Sequence, residues 1–550
     1  MFRLTDFSSA LPRSAWTDQD ANIHQAVSVK PEGGWRLVDY VSGDIQGRAL
    51  QTSCHDSCEI TLPLATEGWH AISIAMAGHY DQSLIEIRLN GEDVWQTLRA
   101  GHGDIQEIPW RFVDLEHNSI QIRYPRDIKQ IAGRLRGQAI SSRIFWIRLE
   151  PMKNEHVTVL DKPSNKPLIY LNDGHSLFWW DSEEANKESV RQSIGRFANS
   201  EWQTCCFCNG GADLVNYPSR LGTRFGQNGW DDPLVKNHKT AELIQELIDQ
   251  GQDVLQLATE QAVQQQHNFW FYIRPQAWVG EPPFDHAFRS HFFSQHPEYR
   301  CLNQQGKPLG KLSYAFAEVR AHINGIIQEG LDRGAHAVGI ALVRSCPLVY
   351  FEQPVLQRFQ LRHGKNSLPE NADDPRLKAI WNDFLCDWLL EIRALLNEEQ
   401  RLFLIVADSK EWNNNFGIDL PMLYRDGLVD DILFYPEDEK DTELNKLVDW
   451  IKSEAGQKES QKVINIIPGL GNFRDHGMSI AELQKRALAY YRQGADGLNR
   501  WDASGSLIGL HLHQPDYLAL WQDHYLGEQS CLLQEYAGLY LDEYPPLDGF

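Results

Sequence analysis

The chain has 550 residues and a formal net charge of -23, and it contains no run of about 20 apolar residues. The charge argues against nucleic acid or an anionic membrane as a general partner, and nothing in the sequence is suited to span a bilayer. The length indicates two domains. The N-terminal residues lack the apolar core of a secretion signal, so we expect a soluble protein, cytoplasmic or exported with its signal removed.

Residues 1–150 predict an all-β domain. Apolar residues alternate with polar ones in five segments, 58–64, 69–77, 84–95, 118–124 and 142–150. Asn90 and Gly91 separate two such runs, as in a tight hairpin turn. This spacing is typical of a two-sheet antiparallel β-sandwich. Residues 151–167 are polar and contain prolines, and we expect a linker there.

Residues 168–550 predict a (β/α)8 barrel with a C-terminal extension, the α/β part of the chain. Helices with an apolar period of 3.6 residues alternate with short apolar strands. The clearest helix covers residues 377–396, after the start signal Asp374–Pro375. The eight candidate strands are 168–172, 203–208, 268–273, 337–343, 402–407, 431–436, 463–468 and 496–501.

The functional groups of such a barrel follow the C-terminal ends of its strands, on loops that share one face. The first three strands are followed by Asp173 and His175, by Asn209 and Asp213, and by Arg274 and Trp278. The fourth is followed by Arg344, Tyr350 and Glu352, and the fifth by Asp408, Glu411, Trp412 and Asn413. The last three are followed by Glu437 and Asp438, by Asn472 and Arg474, and by Arg500, Trp501 and Asp502.

This mixture of acids, arginines and tryptophans suits a carbohydrate. Aromatic rings stack on the apolar faces of sugars, and glycoside hydrolysis requires two carboxyl groups. We expect Glu352 to be the general acid, with Asp408, Glu411 or Asp502 as nucleophile or base. The expected substrate-binding residues are Asp173, His175, Arg274, Trp278, Arg344, Tyr350, Trp412, Asn413, Arg500 and Trp501. The arginines also suit a sugar that carries a carboxylate or sulfate.

Each of these residues also has a structural interpretation. Glu352 would then cap or bridge a loop, Asp408 and Glu411 would cap a helix, and Asp502 would pair with Arg500. Residues 345–376 contain little periodicity, and we expect a lid or a wall of the pocket there. We expect neither metal nor cofactor: Cys205, Cys206 and Cys208 lack metal-ligand spacing, and His511 and His513 stand without further ligands nearby.

Several segments resemble a group of bacterial glycoside-hydrolase-like TIM-barrel proteins with an N-terminal β-sandwich. The similarity covers residues 290–505 and includes FFSQHPEYR (292–300), LSYAFAEVRAHINGII (312–327), FEQP after the fourth strand, and GADGLNRWD before residue 503. It implies a glycoside hydrolase. It also implies that the N-terminal sandwich is similar to the jelly-roll or carbohydrate-module-like domains attached to such barrels. Members of the group often carry acids within the fourth strand, where this chain has Ala341 and Val343.

Two alternatives to a glycosidase therefore stay open. The first is a glycan-binding protein that keeps the aromatic rim without a catalytic pair. The second is a barrel hydrolase or lyase that acts on another substrate through its arginines. The sugar, the linkage and the oligomeric state, monomer or homo-oligomer, stay open as well.

Overall fold

An antiparallel β domain precedes a parallel barrel in the computed structural model of the chain. The structure describes residues 2–7, 35–42, 45–52, 58–78, 83–100, 105–116, 119–124, 142–160, 166–175, 178, 186–227, 235–276, 288–343, 347–436, 443–456, 463–471, 480–501 and 509–526.

The β domain consists of two antiparallel sheets that share one core. The larger sheet has the order β2 (Trp35–Ser42), β3 (Ile45–Thr52), β10 (Ser142–Pro151), β5 (Glu67–Gly78) and β8 (Gln106–Glu116), and β1 (Phe2–Leu4) pairs with β10. The smaller sheet has the order β4 (Ile60–Pro63), β9 (Ser119–Arg123), β6 (Ser83–Leu89) and β7 (Gln96–Ala100). Alternate residues, such as Ile72 and Ile74 of β5 and Ile85 and Ile87 of β6, are buried in the common core. The predicted sandwich is confirmed.

Eight parallel strands form the barrel. They are β11 (Leu168–Asn172), β12 (Thr204–Cys208), β15 (Asn268–Ile273), β18 (Ala337–Leu342), β19 (Arg401–Ala407), β20 (Asp431–Tyr435), β21 (Asn465–Ile467) and β22 (Leu498–Trp501). From β11 to β21 each strand pairs with the next, and β22 pairs with β11. A parallel bridge between Gly469 and Asn499 connects β21 to β22, and the Asn499 amide donates to the carbonyls of Phe434 and Ile467. The predicted barrel is confirmed, strand by strand.

Helices alternate with these strands along the chain. They are α1 (Asn154–Leu160), α2 (Lys187–Gly195), α3 (Val235–Asp249), α4 (Val254–Gln264), α5 (His291–Gln295), α6 (Ala317–Asp332), α7 (Gln353–His363), α8 (Pro375–Arg393), α9 (Lys410–Asn415), α10 (Leu420–Asp426), α11 (Leu444–Ala455), α12 (Ile480–Arg492) and α13 (Pro515–Leu520). Asp374 caps α8, as its sequence predicts, by accepting a hydrogen bond from the Arg376 N–H at 2.8 Å. None of the helices in the described ranges is both long and apolar enough to cross a bilayer.

Two short pairs of strands lie in the loops of the barrel. A parallel pair, β13 (Leu214–Val215) and β14 (Thr223–Arg224), follows β12. An antiparallel pair, β16 (Arg300–Leu302) and β17 (Pro308–Leu312), lies between β15 and α6. Both belong to loops at the C-terminal ends of barrel strands, which is the face that carries function in this fold.

Residues 345–376, where the sequence shows little periodicity, contain the helix α7. Pro354 stands in its first turn, Val355 and Phe359 are buried one turn apart, and Gly364 ends it with a φ of +64°. The prediction of an aperiodic excursion was wrong here because two apolar residues one turn apart are too few to stand out in a polar sequence.

The C-terminal part of the barrel packs directly on the β domain. The Phe112 ring of β8 stacks on Trp521 at 4.4 Å, and the Phe112 N–H donates to the Tyr517 hydroxyl at 3.1 Å. His156, in the helix α1 of the expected linker, lies 2.7 Å from the Tyr525 hydroxyl. We call Phe112, His156, Tyr517, Trp521 and Tyr525 the domain joint.

Candidate active site

Strand alternation decides which side chains face the barrel interior. The residues packed inside are Ile169, Leu171, Cys206, Cys208, Trp270, Tyr272, Ala337, Ala341, Val343, Phe403, Ile405, Leu433, Tyr435, Ile467 and Trp501. Three aromatic rings stand at or beside the C-terminal ends of their strands. Trp501 makes edge-to-face contacts with Tyr272 at 5.7 Å and with Tyr435 at 5.1 Å. We call Tyr272, Tyr435 and Trp501 the aromatic floor, since each is at most 2% exposed.

Beyond this floor, the inward-facing positions of β11 and β15 are followed by two charged residues. Asp173 comes two residues after Leu171, and Arg274 comes two residues after Tyr272. Both are partly exposed. Asp173 and Arg274 act electrostatically, and in opposite directions, on the pKa values of the same three side chains, His175, Cys208 and Tyr272. We call these five residues the mouth cluster.

A tight turn after β11 places His175 in this cluster. The Asn172 side chain accepts the Gly174 N–H at 2.8 Å, and the Asp173 carboxylate accepts the His175 N–H at 2.9 Å. Gly174 has a φ of +72°, and the Asn216 amide donates to its carbonyl at 2.6 Å. The turn is therefore held by side chains from the first two strand–helix loops.

The ring of His175 fits against the backbone of the second loop. A Cβ atom on Gly210 would come within 2.7 Å of the ring, so only glycine allows this approach. On another side the ring lies 4.7 Å from the Phe225 ring. His175 is therefore confined by packing as well as by its turn.

Burial controls the protonation of the cluster. Burial lowers the pKa of His175 to about 4, with Asp173 opposing that shift and Arg274 adding to it. Burial raises the pKa of the Cys208 thiol to about 12, and Arg274 and the Gly210 N–H oppose this. At neutral pH His175 and Cys208 are therefore uncharged, and neither a thiolate nucleophile nor an imidazolium is present.

We expect stability to fall as the pH drops from 7 to 5. Burial lowers the folded-state pKa of His175 to about 4 and that of His511 to about 3, against 6.5 for free histidine. The unfolded chain therefore binds protons that the folded chain does not, and stability present above pH 6.5 is lost below it. The free energy of unfolding falls by about 2 kcal/mol per histidine by pH 5.

Urea unfolding at several pH values measures this loss. His511→Asn is the matched variant, because asparagine tolerates the left-handed φ of +52° at this position. Its stability should depend less on pH than that of the wild type. Equal stability of the wild type at pH 7 and pH 5 would contradict the expectation.

The carboxylate of Glu352 is held by the backbone of two loops. Its side chain is 0% exposed, and its carboxylate accepts the Leu302 N–H at 2.9 Å and the Tyr350 N–H at 2.8 Å. Burial raises its pKa, while these donors lower it. The carboxylate joins the end of β16 to the loop before α7, which fits the structural interpretation better than that of a general acid.

The residues after β19 mainly connect this strand to α9. The buried Asn413 amide donates to the carbonyls of Ala407 and Ser409, both at 2.8 Å. Trp412 packs on Phe416 at 5.1 Å. Asp408 is partly exposed and its N–H donates to the Tyr435 carbonyl, whereas Glu411 is exposed in the first turn of α9.

The remaining predicted residues divide into three groups. Arg500 is paired in register with Tyr170, so alternation places it on the helix side of β22, while Trp501 belongs to the buried floor. Tyr350 stacks on Trp381 of α8 at 5.5 Å. Outside the described residues lie Trp278, Arg344, Asp502, Glu437, Asp438, Asn472 and Arg474.

Sequence reasoning missed Tyr272, Tyr435 and Cys208. All three lie within predicted strands, as the last inner residue of β15, β20 and β12. Side chains alternate along a strand, so the residue two positions before an inward-facing residue also faces inward. Once Asp173 and Arg274 were taken as inward-facing, the same alternation applied to each predicted strand would have selected these three residues.

Comparison with known proteins gives similarity to solved structures alone. No protein-family model matches the chain, and no curated protein matches it. An α-galactosidase of glycoside hydrolase family 36 from Geobacillus stearothermophilus, in complex with raffinose, is 11% identical, with a TM-score of 0.37 over 87% of this chain and 64% of that chain. The α-galactosidase TtGalA from Thermus thermophilus is 10% identical, with a TM-score of 0.34 over 88% of this chain and 94% of that chain.

A third solved structure, an exo-β-N-acetylglucosaminidase of family 20 from Vibrio harveyi, is 9% identical with a TM-score of 0.37, over 70% of this chain and 57% of that chain. All three are glycoside hydrolases. The chain spans about two thirds or less of the Geobacillus and Vibrio enzymes.

Proposed function

We propose that the chain is a glycoside hydrolase that cleaves an oligo- or polysaccharide at the C-terminal mouth of its barrel. The observation that supports this is the mouth cluster, where Asp173 and Arg274 stand partly exposed beyond a floor of aromatic rings. Charged groups that bond hydroxyls, set against an apolar base, suit the two kinds of surface of a sugar ring.

We assign Asp173 to the catalytic pair. It is the carboxylate of the mouth cluster, and strand alternation points it toward the barrel axis. As a carboxylate it can attack the anomeric carbon, or activate a water molecule that does so.

We propose Asp502 as the second carboxyl group. It directly follows Trp501, the last residue of β22, and β22 is the neighbour of β11. Asp408 and Glu411 are the alternatives for this role, while Glu352 is assigned to the structure of its loop.

A screen of aryl glycosides and oligosaccharides tests the proposal. Asp173→Asn keeps the oxygen that accepts the His175 N–H, so it removes charge without opening the turn. Asp173→Asn and Asp502→Asn should each lower kcat by about 10²–10⁴ with little change in Tm. Glu398→Gln, at an exposed position in the turn between α8 and β19, is the matched control and should behave as wild type.

Full activity of both aspartate variants would refute this assignment. Cleavage lost in Glu411→Gln or in Asp408→Asn instead would move the second carboxyl group to β19. Either result is read directly from the same rate measurements.

One observation favours a glycan-binding protein as the second candidate. Ala341 and Val343, the inner residues at the end of β18, are apolar and at most 3% exposed. No carboxylate is therefore supplied from within the fourth strand. Binding of a glycan by the wild type without any cleavage would select this candidate.

A further inference from the structure

Several arginines of the barrel domain are held in ion pairs, and Arg274 is not one of them within the described residues. Arg320 pairs with Glu391, Arg333 with Asp253, and Arg401 with Asp431, at 2.7–2.9 Å. Within the described ranges Arg274 makes no such ion pair, and its buried Nε has no hydrogen-bond acceptor. A buried guanidinium N–H without a hydrogen-bond acceptor is energetically unfavourable. A ligand that supplies an acceptor to the Nε–H of Arg274 would remove this cost.

The position of Arg274 makes a bound ligand the natural acceptor. It follows the floor residue Tyr272 on the inner side of β15 and remains partly exposed, so a molecule in the mouth can reach it. Pro275 and Gln276 come directly after it, and the Gln276 amide donates to the carbonyls of Leu312 and Pro347, both at 3.0 Å. The backbone that presents the guanidinium is therefore fixed by two other loops.

Arg274 is the cation of the mouth cluster, and Asp173 is its anion. His175 and Cys208 are neutral at pH 7, so Arg274 and Asp173 carry its formal charges. The Asp173 carboxylate is engaged in its own turn through the His175 N–H. The whole chain has a net charge of -23, which repels acidic molecules, so an acidic substrate requires a local cation where it binds.

We infer that Arg274 binds the acidic group of the substrate, and that the substrate is a glycan with a carboxylate or sulfate on the sugar held in the mouth. The planar guanidinium matches either group through two parallel hydrogen bonds, which a hydroxyl cannot offer. This inference rests on the proposed function, because it concerns the same site and names the class of sugar.

Binding of monosaccharides tests the inference without turnover. Glucuronate and galacturonate are titrated against glucose and galactose, together with the 6-sulfates of both sugars, by calorimetry on the full chain. We expect the wild type to bind at least one acidic sugar 10-fold or more tightly than its neutral counterpart. Whether the carboxylate or the sulfate binds better identifies the acidic group.

Variants separate charge recognition from a structural role. Arg274→Gln should remove the preference for the acidic sugar. Arg274→Lys should keep part of it, because lysine retains the positive charge but cannot make the two parallel hydrogen bonds of a guanidinium. In turnover of an acidic substrate, Arg274→Gln should raise KM more than it lowers kcat. Arg191→Gln, on the surface helix α2, is the matched control and should keep the preference.

The outcomes distinguish this inference from the proposed function. Neutral sugars bound as tightly as acidic ones would overturn the role of Arg274, and cleavage of a neutral glycan would leave the proposed function standing. Binding of neither class, with no glycan cleaved, would overturn both. An acidic preference that survives in Arg274→Gln would also overturn the inference.

Discussion

Glu352→Gln is expected to unfold more easily than the wild type while its folded molecules keep their turnover number. Both carboxylate oxygens accept backbone N–H groups, from Leu302 and from Tyr350. A glutamine amide must turn its NH2 group toward one of these donors, and that donor is left buried without an acceptor. The free energy of unfolding should fall by about 2–4 kcal/mol.

A second buried glutamate provides the matched control. Glu329 of α6 is 1% exposed and accepts hydrogen bonds from Tyr217, Ser219 and the Arg220 N–H. Glu329→Gln and Glu352→Gln should lose similar stability in urea, and neither should change kcat. A Glu352→Gln variant that is as stable as wild type but has lost its turnover would restore the general acid predicted from the sequence.

Gly174→Ala is expected to be much more damaging than Gly251→Ala, although both glycines have nearly the same backbone conformation, with φ of +72° and +71°. An alanine at residue 251 meets no atom within 4 Å, so it carries only the left-handed strain of about 1–2 kcal/mol. At residue 174 the new Cβ would lie 2.2 Å from the Cys208 carbonyl oxygen and 2.7 Å from the Asn216 amide nitrogen.

The clash must be relieved by moving the turn that carries Asp173 and His175. We expect Gly174→Ala to lose about 3 kcal/mol more than Gly251→Ala, in the range of overpacking, or to lose activity through the displaced turn. Unfolding free energies and kcat of both variants measure this difference. Equal losses in the two variants would show that the first two strand–helix loops do not press on each other here.

The sequence predicts the fold well because most strands and helices have a pattern of apolar residues that is visible within the segment itself. Each barrel strand is a buried apolar run, and the helix α8 carries its start signal and its apolar face within twenty residues. The helix α7 and the strands β13, β14, β16 and β17 were not predicted. They are short and are stabilised by contacts with distant parts of the chain, so no periodic pattern of apolar residues in the local sequence predicts them.

The candidate site was predicted in part, for a similar reason. Asp173, His175 and Arg274 follow their strands directly, and topology alone brings them together. The environment of Glu352 depends on the Leu302 N–H, 50 residues earlier, which no local pattern reveals. The position of Arg500 near the end of β22 can also be predicted from the sequence. That its side chain lies on the helix side of the barrel is known only from the register of β22 with β11.

The domain joint has a consequence for how the chain is made. The Phe112 N–H and the Tyr517 hydroxyl that accepts it are 405 positions apart. During synthesis, the ring of Phe112 therefore stays without its partners Tyr517 and Trp521 until nearly the whole barrel has left the ribosome. Domains generally fold as units from the N-terminus, and apolar surface exposed in the meantime invites misassembly. The β domain can close its own core early, but the side that receives Trp521 and Tyr525 is finished last.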